Sequence, residues 1–457
     1  MITQMRAKSF KSWKDTGDLR LAPLTGLFGP NSSGKTSILQ MLLMMKQTVQ
    51  SPDWKRPLHT GDDQSLIDLG TFFDLIHSHG PEASLYLSFS WNLPTDLFVR
   101  NPKKKFEPLF RTSILSFETA IHEESDRAVV DSFRYSFDGN EFGMKRMSPD
   151  KPKTRNQYQL IHGRYPVTRY PGRAWPLPPP MKCYGFPSEV IGYYQNVAFL
   201  AAFVLRLEQL FNQIAYLGPL REYPKRSYVW AGERPIDVGR KGEHAIAVLL
   251  AARAEGLTSG RGEKKARRYK GIEERVLEWM QSMELIHSFS LKPIAKNRKD
   301  YEVRVKKSKT SSEVLITDVG FGVSQILPVL ALCYYVPEGS TILLEQPEIH
   351  LHPSVQAALA DVVIDVVKER NVQIIVESHS EHLLRRLQRR IAEEKISHEQ
   401  TALYFCRMDN GESKIDKLDV DEFGNIRNWP EGFFGDEMGE LAAQTEAEMR
   451  RTGASGQ

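Results

Sequence analysis

The spacing of apolar residues changes twice within the first fifty positions. "LRLAPLTGLFG" (19–29) alternates and then turns continuously apolar, which predicts a strand that becomes buried. "KTSILQMLLMMKQTV" (35–49) follows as an apolar run of helical length. Farther on, "ASLYLSFSWNL" (83–93) and "AVVDSFRYSFDG" (128–139) alternate as strands, the second closing in a turn. "VIGYYQNVAFLAAFVLRLEQLFNQI" (190–214) predicts one long apolar helix, either buried within an insertion or offered to a partner. The C-terminal half is more regular. "TILLEQ" (341–346) and "VQIIVESHS" (372–380) predict buried strands. "PSVQAALADVVIDVVKER" (353–370) opens with proline and places Val355, Leu359, Val362, Val363 and Val366 on one helical face. "EHLLRRLQRRIAEE" (381–394) predicts a second helix. Strand, helix, strand, helix implies an α/β fold with a mainly parallel sheet flanked by helices.

Composition changes this picture little. The chain has 457 residues, of which 41% are hydrophobic and 26% charged, enough for one large domain or two to three ordinary ones. The start, "MITQMRAKSF", lacks the apolar core of a signal peptide, and no apolar run is long enough to span a bilayer. Cys183, Cys333 and Cys406 lie far apart in no metal-binding spacing, which suits buried thiols in a reducing cytoplasm. Net charge is only +4, but "RGEKKARRYK" (261–270) and "KNRKDYEVRVKKSK" (296–309) are dense in cations. They read as a solvated loop and a charged hairpin, or as contacts to nucleic-acid phosphates. Residues from about 145 to 190 are rich in proline, lysine and arginine and predict an irregular insertion.

The candidate chemistry lies where these patterns change. "FGPNSSGKTS" (28–37) contains Gly29, Gly34, Lys35 and Thr36 in the spacing G-x-x-x-x-G-K-[ST]. The backbone N–H groups of Gly29, Pro30, Asn31, Ser32, Ser33, Gly34 and Ser37, less the proline's, and the following helix N-terminus would favour phosphates. Lys35 would reach the β- and γ-phosphates of ATP, and Thr36 would place its hydroxyl on Mg²⁺. Glu345 ends an apolar strand and is the expected second Mg²⁺ residue, acting through water. Next to it stands Gln346, whose amide can orient a water but is a poor proton acceptor. Glu348 is the remaining carboxylate that could serve as base. His379, after the next strand, is placed to bond a γ-phosphate oxygen. His350 and His352 have no third ligand nearby and read as part of the loop.

The ordered set GPNSSGKTS, GFGVSQ, LLEQPEIHLHP and VESHS resembles the RecF/SMC-like and OLD-like branch of ABC ATPases, a group that also holds the Septu ATPase of anti-phage defence. "YLGPLREYPKRSY" (216–228) and "DEFGNIRNWPEGFFGDE" (421–437) are similar to a bacterial subfamily that ends in a small domain of unknown function. The resemblance implies an ABC-type P-loop head with an antiparallel β part and a helical insertion. It divides the chain into 1–95 and 286–400 as the two parts of the head, 96–285 as the insertion and 401–457 as a small C-terminal domain. It also implies ATP and Mg²⁺ as cofactors. Two copies, or a higher homo-oligomer, would close on two ATP molecules held between Lys35 of one and Ser324 of the other. Closure would switch a separate effector, such as a nuclease, with no membrane step. The alternatives are a repair-type ATPase acting on nucleic acid and an ATP-bound scaffold without turnover. Gln346 departs from the glutamate usual in ABC ATPases, and too little chain follows residue 400 for the nuclease domain of OLD proteins. By order, Gln64 is the nearest candidate for the family's Q-loop.

Overall fold

The computed structural model describes residues 1–80, 84–100, 108–147, 157–172, 175–258, 260, 270–295, 298–430 and 443–448. Most of the cationic stretch 261–270, part of the proline-rich insertion and much of the C-terminal tail therefore lie outside the described residues.

Two sheets organise the chain. The first has eight strands and is antiparallel: Ile2–Phe10 pairs with Trp13–Asp15, Leu19–Arg20 and Leu85–Arg100, and the order continues through Pro108–Glu124, Arg127–Phe137, Asn140–Arg146 and Tyr158–Ile161. The second has six strands in the order Ile214–Leu217, Thr341–Glu345, Gln373–Glu377, Leu24–Phe28, Thr401–Asp409, Glu412–Lys417. Its first five strands are mutually parallel and only the last pair is antiparallel. Over the molecule antiparallel pairing predominates, so the expectation of a mainly parallel sheet is corrected: it describes the second sheet alone. The reason is connectivity. Parallel neighbours need crossovers, and the helices Lys35–Gln50, Pro353–Arg370 and Glu381–Ala392 follow strands of the second sheet, whereas the strands from Leu85 to Arg146 run directly one into the next. A four-stranded antiparallel sheet from residues 228–315 completes the β structure beside a two-stranded ribbon.

The expected boundary between 95 and 96 falls inside the strand Leu85–Arg100. Ile214–Leu217, expected in the insertion, is the edge strand of the parallel sheet, and Thr401–Asp409, expected in a terminal domain, is one of its inner strands. The buried amide of Gln373 joins the two sheets: its Oε1 accepts from Ile2 N at 3.0 Å and its Nε2 donates to Ile2 O at 2.6 Å.

The stretch 190–214 is not one helix. A short helix Ser188–Tyr193 ends where Tyr194–Gln195 pairs with Thr168–Arg169, Asn196 takes φ 58°, and a second helix runs over Leu200–Asn212. The second helix is spent on the interior. Phe203 stacks on Tyr135 at 5.7 Å between centroids, and Phe211 meets Phe89 edge-on at 5.3 Å. In the cationic hairpin, Lys292 pairs with Glu313 at 2.8 Å and Arg304 with Glu302 at 2.8 Å. Among the described residues no helix is long and apolar enough to cross a membrane.

Candidate functional site

The parallel register sets the site. Leu24–Phe28, Gln373–Glu377 and Thr341–Glu345 lie side by side, with Glu345 opposite Glu377 and Glu377 opposite Leu27. The loop after Phe28 and both carboxylates therefore emerge at the same strand ends, where parallel sheets bind ligands.

The loop fits its place by having no side chain at two points. Gly29 has φ +135°, and a Cβ there would lie 2.0 Å from the Cys406 carbonyl oxygen. Gly34, at φ +91°, begins the helix Lys35–Gln50, and a Cβ there would lie 2.4 Å from Ser413 Oγ. The C-terminal hairpin thus backs the loop, and Trp13 Nε1 donates to Gly34 O at 3.1 Å. Lys35 folds back on this loop: its Nζ donates to Gly29 O at 3.0 Å, Pro30 O at 2.6 Å and Ser33 Oγ at 3.3 Å. Burial pulls the ammonium below its ordinary pKa, while Glu377 and other acidic groups oppose this. Pro30, Asn31 and Ser32 are exposed, whereas Ser33 and Ser37 are buried.

Thr36 Oγ1 donates to Glu377 Oε1 at 2.9 Å, not to Glu345. Glu345 instead accepts from Tyr216 OH at 2.6 Å, and burial raises its pKa. Glu377 is 1% exposed, and burial together with the Glu345 charge pushes its carboxyl up to about 7. Its second oxygen has no hydrogen-bond partner. Glu345, Glu377 and Thr36 form an oxygen-rich corner suited to a hard cation. Among the described residues no three His, Cys, Asp or Glu side chains form a metal cluster, so a cation here would need phosphate oxygens and water for its remaining ligands.

Gln346 takes φ 43° and donates its backbone N–H to Glu377 O at 2.9 Å, while its amide nitrogen stands 3.4 Å from His379 Nε2. Burial, then the Lys35 charge, keeps the imidazole below its ordinary pKa, so it is neutral at pH 7. Glu348 lies beneath the same turn: one oxygen accepts from Ser378 Oγ and His379 N, both at 2.7 Å, and the other has no hydrogen-bond partner. Its position ties two loops together rather than leaving it open to a water. Ser324 lies in the first turn of the helix Phe321–Tyr335 and donates to Phe321 O at 2.8 Å, so it is not drawn into the Lys35 cluster of its own chain. The strand beside Thr341–Glu345 leads to Arg221, and Gln64 lies in the neighbouring loop, where Ser65 O accepts from Arg240 Nη1 at 2.8 Å.

Lys35, Thr36, Glu345, Gln346, Glu348 and His379 are thus brought together, and Glu377 and Tyr216 join them. Glu377 had a signal in the sequence: like Glu345 it is the acid that closes a buried strand with an apolar centre. Tyr216 opens the stretch YLGPLREYPKRSY, but its contact with Glu345 had no signal, because its strand is remote in sequence.

Residues 266–384 match the family described as AAA ATPase domain. This part of the chain is therefore similar to an ATPase domain. The match takes in Glu345 and His379 but not residues 28–37, which only the fold brings to the same place. Residues 396–444 match a family described as protein of unknown function (DUF3696). No curated protein matches. Similar solved structures include the SMC head bound to the C-winged-helix domain of ScpA, at 13% identity, 92% of this chain, 98% of that one and TM-score 0.44. The SMC head domain from Thermotoga maritima is 12% identical over 92% of this chain and 99% of that one, with TM-score 0.40. The Smc head domain with an extended coiled coil bound to the C-terminal domain of ScpA from Pyrococcus furiosus is 13% identical over 98% and 99%, with TM-score 0.44. These are loose likenesses.

Proposed function

We propose that the protein is an ATP-dependent switch whose hydrolysis is slow. The observation that carries this reading is the convergence of the Lys35 loop, Thr36, Glu345 and Glu377 at adjacent parallel strand ends. Loop N–H groups and the helix N-terminus bind the phosphates, with Lys35 exchanging its loop carbonyls for phosphate oxygens. Thr36 and Glu345 hold Mg²⁺, which would neutralise charge on the phosphates. Gln346 and His379 orient the attacking water and the terminal phosphate. Gln346 cannot take the proton efficiently, and Glu348 is bonded beneath the turn, which supports slow turnover.

In the closed state two copies sandwich ATP, each supplying Ser324 and its helix N-terminus to the ATP of the other. Closure then switches a separate effector, such as a nuclease, in anti-phage defence. Both steps rest on the motif resemblance. The alternative is a repair-type ATPase acting on nucleic acid through the stretch 296–309, in which Arg304 is paired with Glu302.

The test is incubation with Mg²⁺ and labelled ATP, with the nucleotide and oligomeric state followed over time. Wild type should bind ATP, dimerise with it and release ADP slowly. Lys35→Ala should bind none, and Ser324→Arg should bind ATP without dimerising. Unchanged binding in Lys35→Ala would overturn the assignment of the site, and salt-sensitive stimulation by DNA would favour the nucleic-acid reading.

A further inference from the structure

Arg221 follows the edge strand Ile214–Leu217, next to the strand that ends in Glu345. Two backbone bonds fix its loop: Gly218 N donates to Arg240 O at 2.8 Å and Glu222 N to Lys241 O at 2.9 Å. Leu220 and Tyr223 stay outside, each 72% exposed, while Arg221 is 8% exposed. Its Nε and both Nη atoms have no hydrogen-bond partner. Glu345 and Glu348 are near enough to favour its charge, yet neither accepts from it. Burial pulls the guanidinium down to about 10, and it remains charged at pH 7.

A buried guanidinium with no acceptor is unfavourable, because five donors have left water without replacement. Its planar fork suits two oxygens of one phosphate. The loop N–H groups serve the inner phosphates, whereas the strand-end carboxylates stand by the terminal one.

We propose that Arg221 binds the terminal phosphate of ATP from within the same chain and so distinguishes ATP from ADP. The assignment rests on the reading of the site as an ATP site. Arg221 is then a nucleotide-state sensor on the loop that exposes Leu220 and Tyr223.

The experiment compares Arg221→Gln, Arg221→Lys and wild type, as full chains, for binding of ADP and of a non-hydrolysable ATP analogue, alongside thermal melting without nucleotide. Loss of a charge-assisted bond should weaken the ATP analogue roughly 10- to 100-fold in Arg221→Gln, with ADP changed by less than about 3-fold. Arg221→Lys should fall between, since it keeps the charge and loses the fork. Melting without nucleotide should hold or rise in Arg221→Gln. Equal loss for both nucleotides, no loss, or a marked fall in melting would overturn the proposal by showing a structural or neutral arginine. If Arg221→Gln does not fold, that too assigns the arginine to structure. Lys35→Ala separates the two readings: if it abolishes binding while Arg221→Gln spares the ATP-to-ADP preference, only the Arg221 assignment falls.

Discussion

Replacing Glu377 by Gln tests the electrostatics of the strand ends directly. The carboxyl is 1% exposed, lies in register with Glu345 and accepts from Thr36. Glutamine copies its protonated form and can still accept from Thr36. In the native protein the carboxyl titrates near 7 rather than at an ordinary 4.5. In that interval the folded state binds more protons than the unfolded state, so stability falls as pH rises. The contribution is fully present below about 4.5 and is lost as pH passes through about 7. Holding the proton over that interval corresponds to roughly 3 kcal/mol. Urea unfolding of both proteins, without nucleotide or Mg²⁺, should therefore give similar stabilities near pH 4.5. At about pH 8 the variant should be more stable by roughly 3 kcal/mol. A difference that is flat across this range, or that grows toward acid, would refute the account of Glu377 as a carboxyl raised by burial and by its neighbour.

Other perturbations isolate single features. Gly29→Ala forces a Cβ to within 2.0 Å of Cys406 O at φ +135° and should cost about 2 kcal/mol or more in urea unfolding, with ATP binding lost. Gln346→Glu puts a proton acceptor beside Glu345 and should raise single-turnover ATP cleavage about 10-fold or more; an unchanged rate would show that the amide does not limit turnover. Glu348→Ala leaves Ser378 Oγ and His379 N without their acceptor and should lower stability by roughly 1–3 kcal/mol in the same unfolding assay. Tyr216→Phe removes the only hydrogen bond described for the Glu345 carboxylate, and should weaken Mg²⁺-dependent ATP binding more than Mg²⁺-free binding.

What was legible in the sequence is what short-range physics fixes. Lys35–Gln50 and Pro353–Arg370 appear where their periodicity places them, because 3.6-residue spacing and a proline at the first turn act within a few residues. Residues 190–214 misled for the same reason: apolar content reports burial, but the break at Asn196 comes from pairing with Thr168–Arg169, which helical periodicity does not encode. The boundary expected at 95/96 lies inside the strand Leu85–Arg100, which pairs with both Ile2–Phe10 and Pro108–Glu124 and so joins the two sides.

The sequence by itself determined the type of chemistry: a glycine loop with its lysine and threonine, an acid and an amide closing one buried strand, and a histidine after the next. The tertiary structure decided the partners. Register set Glu377 opposite Glu345 and gave it Thr36, a crossover carried Tyr216 and Arg221 to the edge beside them, and hydrogen bonding placed Glu348 under the His379 turn. These are contacts over 30 to 341 residues, set by which strands pair and in which direction, and by the burial that pairing creates.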